Sequence, residues 1–179
     1  MLNTDNTLLL VIDVQDRLIG MLKNSDEIIK NNMILAKSAQ ILGVPTIVTE
    51  QYPQGLGSTV LEVKEVVSPE HIFEKTSFSA LENVEILDKI KSYGVKNIVI
   101  TGIETHICVY QTTLSLIENG FNVYVVKNAV SSRKTKDYRT ALELMRDFGA
   151  KLTCVEAVLF ELLKTSKHPN FKEIQSFIK

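Results

Sequence analysis

The sequence has little of the residues that cross-link or interrupt a fold. Its 179 residues include two cysteines, four prolines, eight glycines and no tryptophan, while hydrophobic residues make up 45%. This composition excludes a disulfide scaffold, a collagen-like chain and a disordered chain. A chain of this length is expected to form one domain, over residues 1–179.

Neither sign of charge prevails, and no apolar run is long. Twenty Lys and Arg residues oppose 21 Asp and Glu residues, for a net charge of −1, so the sequence predicts no nucleic-acid partner and no membrane partner. The apolar run at 8–12 is far shorter than the roughly 20 residues that cross a bilayer. The first seven residues lack the basic start of a signal peptide, so we expect a cytoplasmic protein.

Short β-branched runs alternate regularly with amphipathic segments, and a glycine follows most of the latter. This alternation predicts a three-layer α/β fold, with helices on both faces of a doubly wound, mostly parallel, six-stranded sheet. The predicted strands are 8–12, 45–49, 71–75, 97–101, 122–126 and 150–153. The main predicted helices are 26–42, 84–93, 105–119, 138–148, 155–163 and 171–178.

Three chemically active residue types follow predicted strands. Asp13 ends the first strand, Lys75 ends the third, and Cys108 lies near the start of the helix after the fourth. Ligands bind beyond the carboxyl ends of such strands, where these residues could form one site. A helix start and a nearby lysine favour a thiolate, which lowers the pKa of a cysteine. Each residue also has a structural interpretation, as a turn aspartate, a solvated lysine or a buried inert cysteine, and Cys154 fits the last of these.

The segments around these residues resemble the isochorismatase-like cysteine hydrolases, a family that includes nicotinamidases and other small amidohydrolases. The resemblance is carried by VIDVQ at 11–15, KTSFS at 75–79 and GIETHICV at 102–109. TEQYPQGLG at 49–57 and HPNFKEIQ at 168–175 resemble the short isochorismatase domain-containing branch of that family. The likeness extends over essentially the whole chain, and it implies the family's Rossmann-like fold.

The resemblance implies a role for each candidate residue. Cys108 would be the nucleophile, Asp13 the general base, and Lys75 the residue that orients and polarises the pair. A cis peptide bond is implied between Ile103 and Glu104. It would aim the backbone N–H of Glu104, together with that of Cys108, at the oxyanion that develops during the reaction.

The resemblance does not extend to a metal site. Nicotinamidases bind a divalent metal through an Asp-x-His pair after the second strand and a further His, whereas this chain has TEQ at 49–51. The three histidines, His71, His106 and His168, are scattered and show no ligand spacing. We therefore expect no metal and no other cofactor.

These observations predict a metal-independent hydrolase that cleaves a small amide, carbamoyl or related C–N substrate by way of an acyl-enzyme. Gln15, Tyr52 and Phe78 lie beside the strand ends, where they either line the substrate pocket or pack in the core. The alternative is a ligand-binding or scaffolding member of the same fold with little turnover. A nuclease is disfavoured because no basic groove is evident. The apolar helix faces and the family resemblance predict a homo-oligomer.

Overall fold

The computed structural model describes residues 1–179, and its centre is a sheet of six parallel strands. The strands are β1 Thr7–Ile12, β2 Thr46–Gln51, β3 Ile72–Lys75, β4 Asn97–Ile103, β5 Asn122–Ser131 and β6 Lys151–Thr153. Their order is β3-β2-β1-β4-β5-β6, and every neighbouring pair is parallel. All six residues of β1 are buried, as expected for a strand that has helices over both faces.

Nine α-helices connect the strands or follow them. They are α1 Asp16–Ile19, α2 Ser25–Leu42, α3 Pro53–Leu56, α4 Leu61–Lys64, α5 Val84–Ser92, α6 Tyr110–Glu118, α7 Thr135–Asp147, α8 Val155–Leu163 and α9 Phe171–Ser176. Helices α2, α4, α8 and α9 pack on one face of the sheet, and α5, α6 and α7 pack on the other. This arrangement confirms the predicted three-layer fold. None of the helices combines the length and the apolar character that a membrane span needs.

The direction of winding reverses between β1 and β4, and the two strands come unusually close where they end. Gly102 near the end of β4 has φ 108°, and a Cβ atom there would overlap the backbone of Ile12 at the end of β1. Only glycine fits such a conformation and such an approach. The residues that follow β1 and β4 are therefore held side by side at the point where ligands bind in sheets of this kind.

Two predicted elements differ from the observed ones in a way that matters for the site. The predicted helix 105–119 begins as one π-helical turn, Thr105–Val109, and only then continues as α6. Strand β5 continues to Ser131, whereas the prediction ended it at 126. The polar residues Lys127 and Asn128 interrupt the apolar pattern, but the strand goes on beside β4 after a shift of register between Ile100 and Gly102.

Candidate active site

Asp13 lies immediately after β1 with its carboxylate fully buried. Its φ of 51° is in the left-handed region, which aspartate tolerates better than most residues. One carboxylate oxygen accepts a hydrogen bond of 2.6 Å from the Thr49 hydroxyl on β2. The other lies 2.8 Å from Nζ of Lys75. Asp13 is therefore an ion-paired residue of the interior and not a simple turn residue.

Lys75 is the last residue of β3, and its side chain is as completely buried as that of Asp13. Besides Asp13, its ammonium donates to Oε1 of Gln51 at 2.7 Å and to the carbonyl oxygen of Ser77 at 3.2 Å. A buried ammonium needs this set of acceptors because it has no water around it. The interpretation of Lys75 as a solvated surface charge is thus wrong.

Cys108 lies in the π-helical turn and is 7% exposed. Its thiol is close enough to interact with both Asp13 and Lys75. Burial, and secondly the Asp13 carboxylate, raise the pKa of the Cys108 thiol to about 12, against an opposing effect of the Lys75 ammonium. The expectation of a lowered pKa is therefore wrong. In the resting site the thiol keeps its proton at neutral pH.

The pKa of the Asp13 carboxyl is shifted in the same direction as that of the Cys108 thiol. Burial raises the pKa of the Asp13 carboxyl above its ordinary value, while Lys75 and the hydrogen bond from Thr49 lower it. A higher pKa makes the carboxylate a stronger proton acceptor. Asp13 is thus suited to take a proton from the neighbouring Cys108 thiol.

Glu104 precedes the π-helical turn, and the peptide bond between Ile103 and Glu104 is cis, as the resemblance implied. The backbone N–H of Glu104 donates to no acceptor in the structure. The side chain is buried and turns the other way, because one carboxylate oxygen accepts from both the backbone N–H and Nε of Arg133, at 3.1 and 2.8 Å. Arg133 lies between β5 and α7, so this pair links Glu104 to the segment that joins those two elements.

The three predicted substrate contacts have different surroundings. Gln15 is completely buried, and its amide group bonds to the backbone of Gln51 on β2 and of Gly57. Its polar atoms are thus engaged in holding the loop after β2. Tyr52 and Phe78 are 56% and 54% exposed. Tyr52 lines a cavity of about 370 Å³ that also reaches Lys75, so substrate contact by the two aromatics stays a prediction.

No group of three His, Cys, Asp or Glu side chains is placed to hold a metal ion. Glu50, in the segment that replaces the metal motif, instead accepts hydrogen bonds from the backbone N–H and hydroxyl of Thr59. His71 bonds to Tyr93, and His106 bonds to Ser132.

Three further residues of the site had no signal of their own in the sequence. Thr49 donates a hydrogen bond to Asp13, Gln51 accepts one from Lys75, and Arg133 donates one to Glu104. The two β2 residues stand near Asp13 and Lys75 only because β2 lies between β1 and β3. A prediction of the strand order would have placed them there.

Residues 7–157 match the family model for the isochorismatase domain. Isochorismatase family protein 1A of Dictyostelium discoideum is 40% identical over 97% of this chain and 86% of that protein. Isochorismatase domain-containing protein 1 of Danio rerio is 43% identical over 93% of this chain, which spans 59% of that longer relative. The chain belongs to the isochorismatase family.

Solved structures agree with this assignment. MAR1 ribonuclease from Caenorhabditis elegans matches with a TM-score of 0.93 and 44% identity, over 99% of this chain and 91% of that one. YcaC from Pseudomonas aeruginosa, solved with hexane-2,5-diol and covalent acrylamide, matches with a TM-score of 0.93 and 28% identity, over 98% and 90%. YcaC from Escherichia coli, described as an octameric hydrolase of unknown specificity, matches at 0.89 and 25% identity, over 98% and 94%. The chain has the fold of the isochorismatase-family hydrolases.

Proposed function

We propose that this chain, as one domain over residues 1–179, is a metal-independent cysteine hydrolase of a small amide, carbamoyl or related C–N substrate. The observation that carries the proposal is the buried ion pair of Asp13 and Lys75, 2.8 Å apart, next to the buried thiol of Cys108. A buried pair of charges is costly to assemble in a protein interior. Its place beside a nucleophile at the winding reversal of the sheet supports a catalytic use.

The proposed reaction starts from the neutral thiol. As the sulfur of Cys108 attacks the substrate carbonyl carbon, the thiol proton passes to the carboxylate of Asp13. The C–N bond then breaks, the proton returns to the departing nitrogen, and a thioester remains on Cys108. Water attacks the thioester carbonyl and gives its proton to Asp13, which returns it to the sulfur as the acid product leaves. The Lys75 ammonium would stabilise the negative charge on Asp13 or on the Cys108 sulfur, whichever of the two is anionic at that step.

The backbone supplies the second part of the proposed machinery. The N–H of Glu104 has no acceptor in the structure, and with the N–H of Cys108 it would bind the oxyanion of the tetrahedral intermediate. Removal of one such donor typically costs about 2.7–4 kcal/mol of transition-state stabilisation. The Glu104 carboxylate takes no part in this step because it is bonded to Arg133.

The ribonuclease name of the C. elegans relative raises RNA as another substrate. Glu74 and Glu82 line the cavity beside Lys75, from whose lining Cys108 is absent, and they would repel phosphate groups that approach along it. The Lys75 ammonium is already paired with Asp13. With its ammonium paired, Lys75 offers little attraction to an RNA phosphate, which supports an uncharged C–N substrate.

The decisive experiment compares wild type with Cys108→Ala and Cys154→Ala on a panel of small amides and carbamoyl compounds, with a short RNA as a further arm. We expect hydrolysis of at least one C–N compound by wild type and Cys154→Ala, and none by Cys108→Ala. Circular dichroism checks that each variant is folded. Hydrolysis that persists in Cys108→Ala would falsify the mechanism, and RNA cleavage without amide cleavage would overturn the substrate class.

A binding or scaffolding role without turnover is the second candidate. The P. aeruginosa relative was solved with covalent acrylamide, so acrylamide is a suitable probe of the thiol, read by intact mass. Saturable ligand binding with an unreactive Cys108 would favour this second role. We also propose that the chain forms a homo-oligomer, since one relative is described as octameric, and light scattering tests this. A cytoplasmic location is a separate proposal, which cell fractionation tests.

A further inference from the structure

A second cavity lies around the carboxyl ends of β5 and β6, and we name it the β5–β6 cavity. Its volume is about 520 Å³, and its lining includes Lys127, Ser132 and Cys154. This volume is in the range of roughly 300–1,000 Å³ that small-molecule sites occupy. Asp13, Lys75 and Cys108 are absent from its lining, so the cavity is separate from the proposed catalytic residues.

Basic groups prevail in the β5–β6 cavity, although the whole chain has a net charge of −1. Lys23, Lys127 and Arg133 line it, against a single acid, Glu27. Two exposed lysines beside one concave space attract an anion. Arg133 is paired with Glu104 through Nε, which offsets its charge, but its terminal nitrogens remain donors that suit phosphate oxygens. The first turn of α7 also opens on the cavity through Thr135, which adds the favourable end of a helix dipole.

The rest of the lining suits the uncharged part of a ligand. Tyr138 supplies an aromatic surface and Cys154 a small apolar side chain, whereas Val130 is 1% exposed and its side chain belongs to the core. The cavity is several times larger than a bare phosphate ion, so an occupant that contacts both the cations and these surfaces has an organic part. A planar ring can pack on Tyr138 while its charged group reaches the cations.

From this arrangement we infer that the β5–β6 cavity binds a small organic phosphate, with Lys23, Lys127 and Arg133 around the phosphate and Tyr138 and Cys154 against the organic part. Arg133 also bonds to the buried carboxylate of Glu104. The ligand would therefore contact a side chain that supports the proposed oxyanion segment. The binding inference itself does not depend on the proposed hydrolase function.

Calorimetric titration at constant ionic strength tests the site, with phenyl phosphate, inorganic phosphate and phenol as the probes. The wild-type chain is expected to bind one phenyl phosphate saturably, inorganic phosphate at least fivefold more weakly, and phenol not at all. The double variant Lys23→Gln/Lys127→Gln should bind phenyl phosphate at least tenfold more weakly. Lys91→Gln/Lys172→Gln removes two exposed lysines outside the cavity and should change the affinity less than twofold.

Cys154 provides a second measurement because it is an exposed thiol in the lining of the cavity. In a Cys108→Ala background, saturating phenyl phosphate should slow its reaction with a thiol reagent at least fivefold. Absence of saturable binding, an equal loss in the two lysine double variants, or unprotected Cys154 would each overturn the inference. None of these readouts requires turnover, so failure of the hydrolase proposal would leave them intact.

Discussion

The carboxyl end of the sheet has two regions whose charged side chains differ in burial. At the β1–β3 side, the carboxylate of Asp13 and the ammonium of Lys75 are completely buried and hydrogen-bonded within the protein. At the β5–β6 cavity, Lys23 and Lys127 are exposed. Buried charges have to be paired because desolvation is costly, whereas exposed charges stay hydrated until a ligand arrives.

This difference separates two uses of charge within one fold. Charged groups that are buried and held in place favour catalysis, since donors and acceptors that do not reorganise stabilise a developing charge most effectively. Hydrated charges around an open cavity favour binding from solution and fast association. If the comparison is right, changes on the β1–β3 side will cost stability, and equivalent changes around the β5–β6 cavity will not.

Removing one partner of the buried ion pair should have the largest effect. Lys75→Met leaves the Asp13 carboxylate buried without its counter-charge, with Thr49 and the Cys108 thiol as its remaining side-chain donors, which is expected to lower the free energy of unfolding by about 3–5 kcal/mol. Urea denaturation at pH 7 measures the change. The double variant Asp13→Leu/Lys75→Met should regain most of the lost stability, because no isolated charge remains.

Arg146→Ala is the matched control for that prediction. It breaks an ion pair with Asp147 in which both side chains are more than half exposed, and it should change the free energy of unfolding by less than about 1 kcal/mol. An equally small effect for Lys75→Met would mean that water reaches the β1–β3 side. The contrast between the two sides would then be lost.

Gln15→Leu should have the next largest effect. It removes hydrogen bonds to the carbonyl oxygens of Gln51 and Gly57 and the acceptor for the Gln51 N–H. Loss of these buried contacts is expected to cost about 2 kcal/mol, because backbone groups are left unsatisfied. Gln40→Leu, at an exposed position on α2, is the control. Unchanged stability in Gln15→Leu would assign the side chain to the substrate instead of to the loop.

The pH dependence of Cys108 alkylation tests the charges that act on the thiol. The Asp13 carboxylate raises the pKa of Cys108 and the Lys75 ammonium lowers it. Asp13→Asn removes the anion, so the midpoint of the alkylation profile should fall. Lys75→Met should move the midpoint upward. In a Cys154→Ala background, intact-mass measurement detects alkylation of Cys108 alone. If Asp13→Asn leaves the midpoint unchanged, the Asp13 carboxylate does not act on the Cys108 thiol.

The sequence was sufficient to predict the fold and the residues at the strand ends. The β-branched runs and the glycines after helices are local signals, so the six strands and the positions of Asp13, Lys75 and Cys108 could be read directly. Parallel connections then fix the end of the sheet at which those residues meet. The cis bond before Glu104 was implied only by the family resemblance.

The direction of the Cys108 pKa shift could not be predicted in the same way. A helix start and a lysine both lower the pKa of a thiol, but burial and the adjacent carboxylate prevail here. Both depend on how elements far apart in the chain pack together. Cys154 shows the same limit, because an apolar sequence neighbourhood suggested a buried residue and the structure exposes it at the β5–β6 cavity.

Among the variants of the two regions, Arg133→Ala should have the smallest effect on stability, and it is the most informative change. Its guanidinium is half exposed, and Glu104 keeps the hydrogen bond from the backbone N–H of residue 133, so the cost is expected to be about 1 kcal/mol. If Arg133 positions the Glu104 segment for the oxyanion, kcat for the amide found in the screen should fall about tenfold with little change in KM. Arg139→Ala, at an exposed position on α7, is the control. Arg133 lines the β5–β6 cavity and also bonds to Glu104. Unchanged kinetics in Arg133→Ala would therefore show that the cavity and the proposed catalytic site act independently.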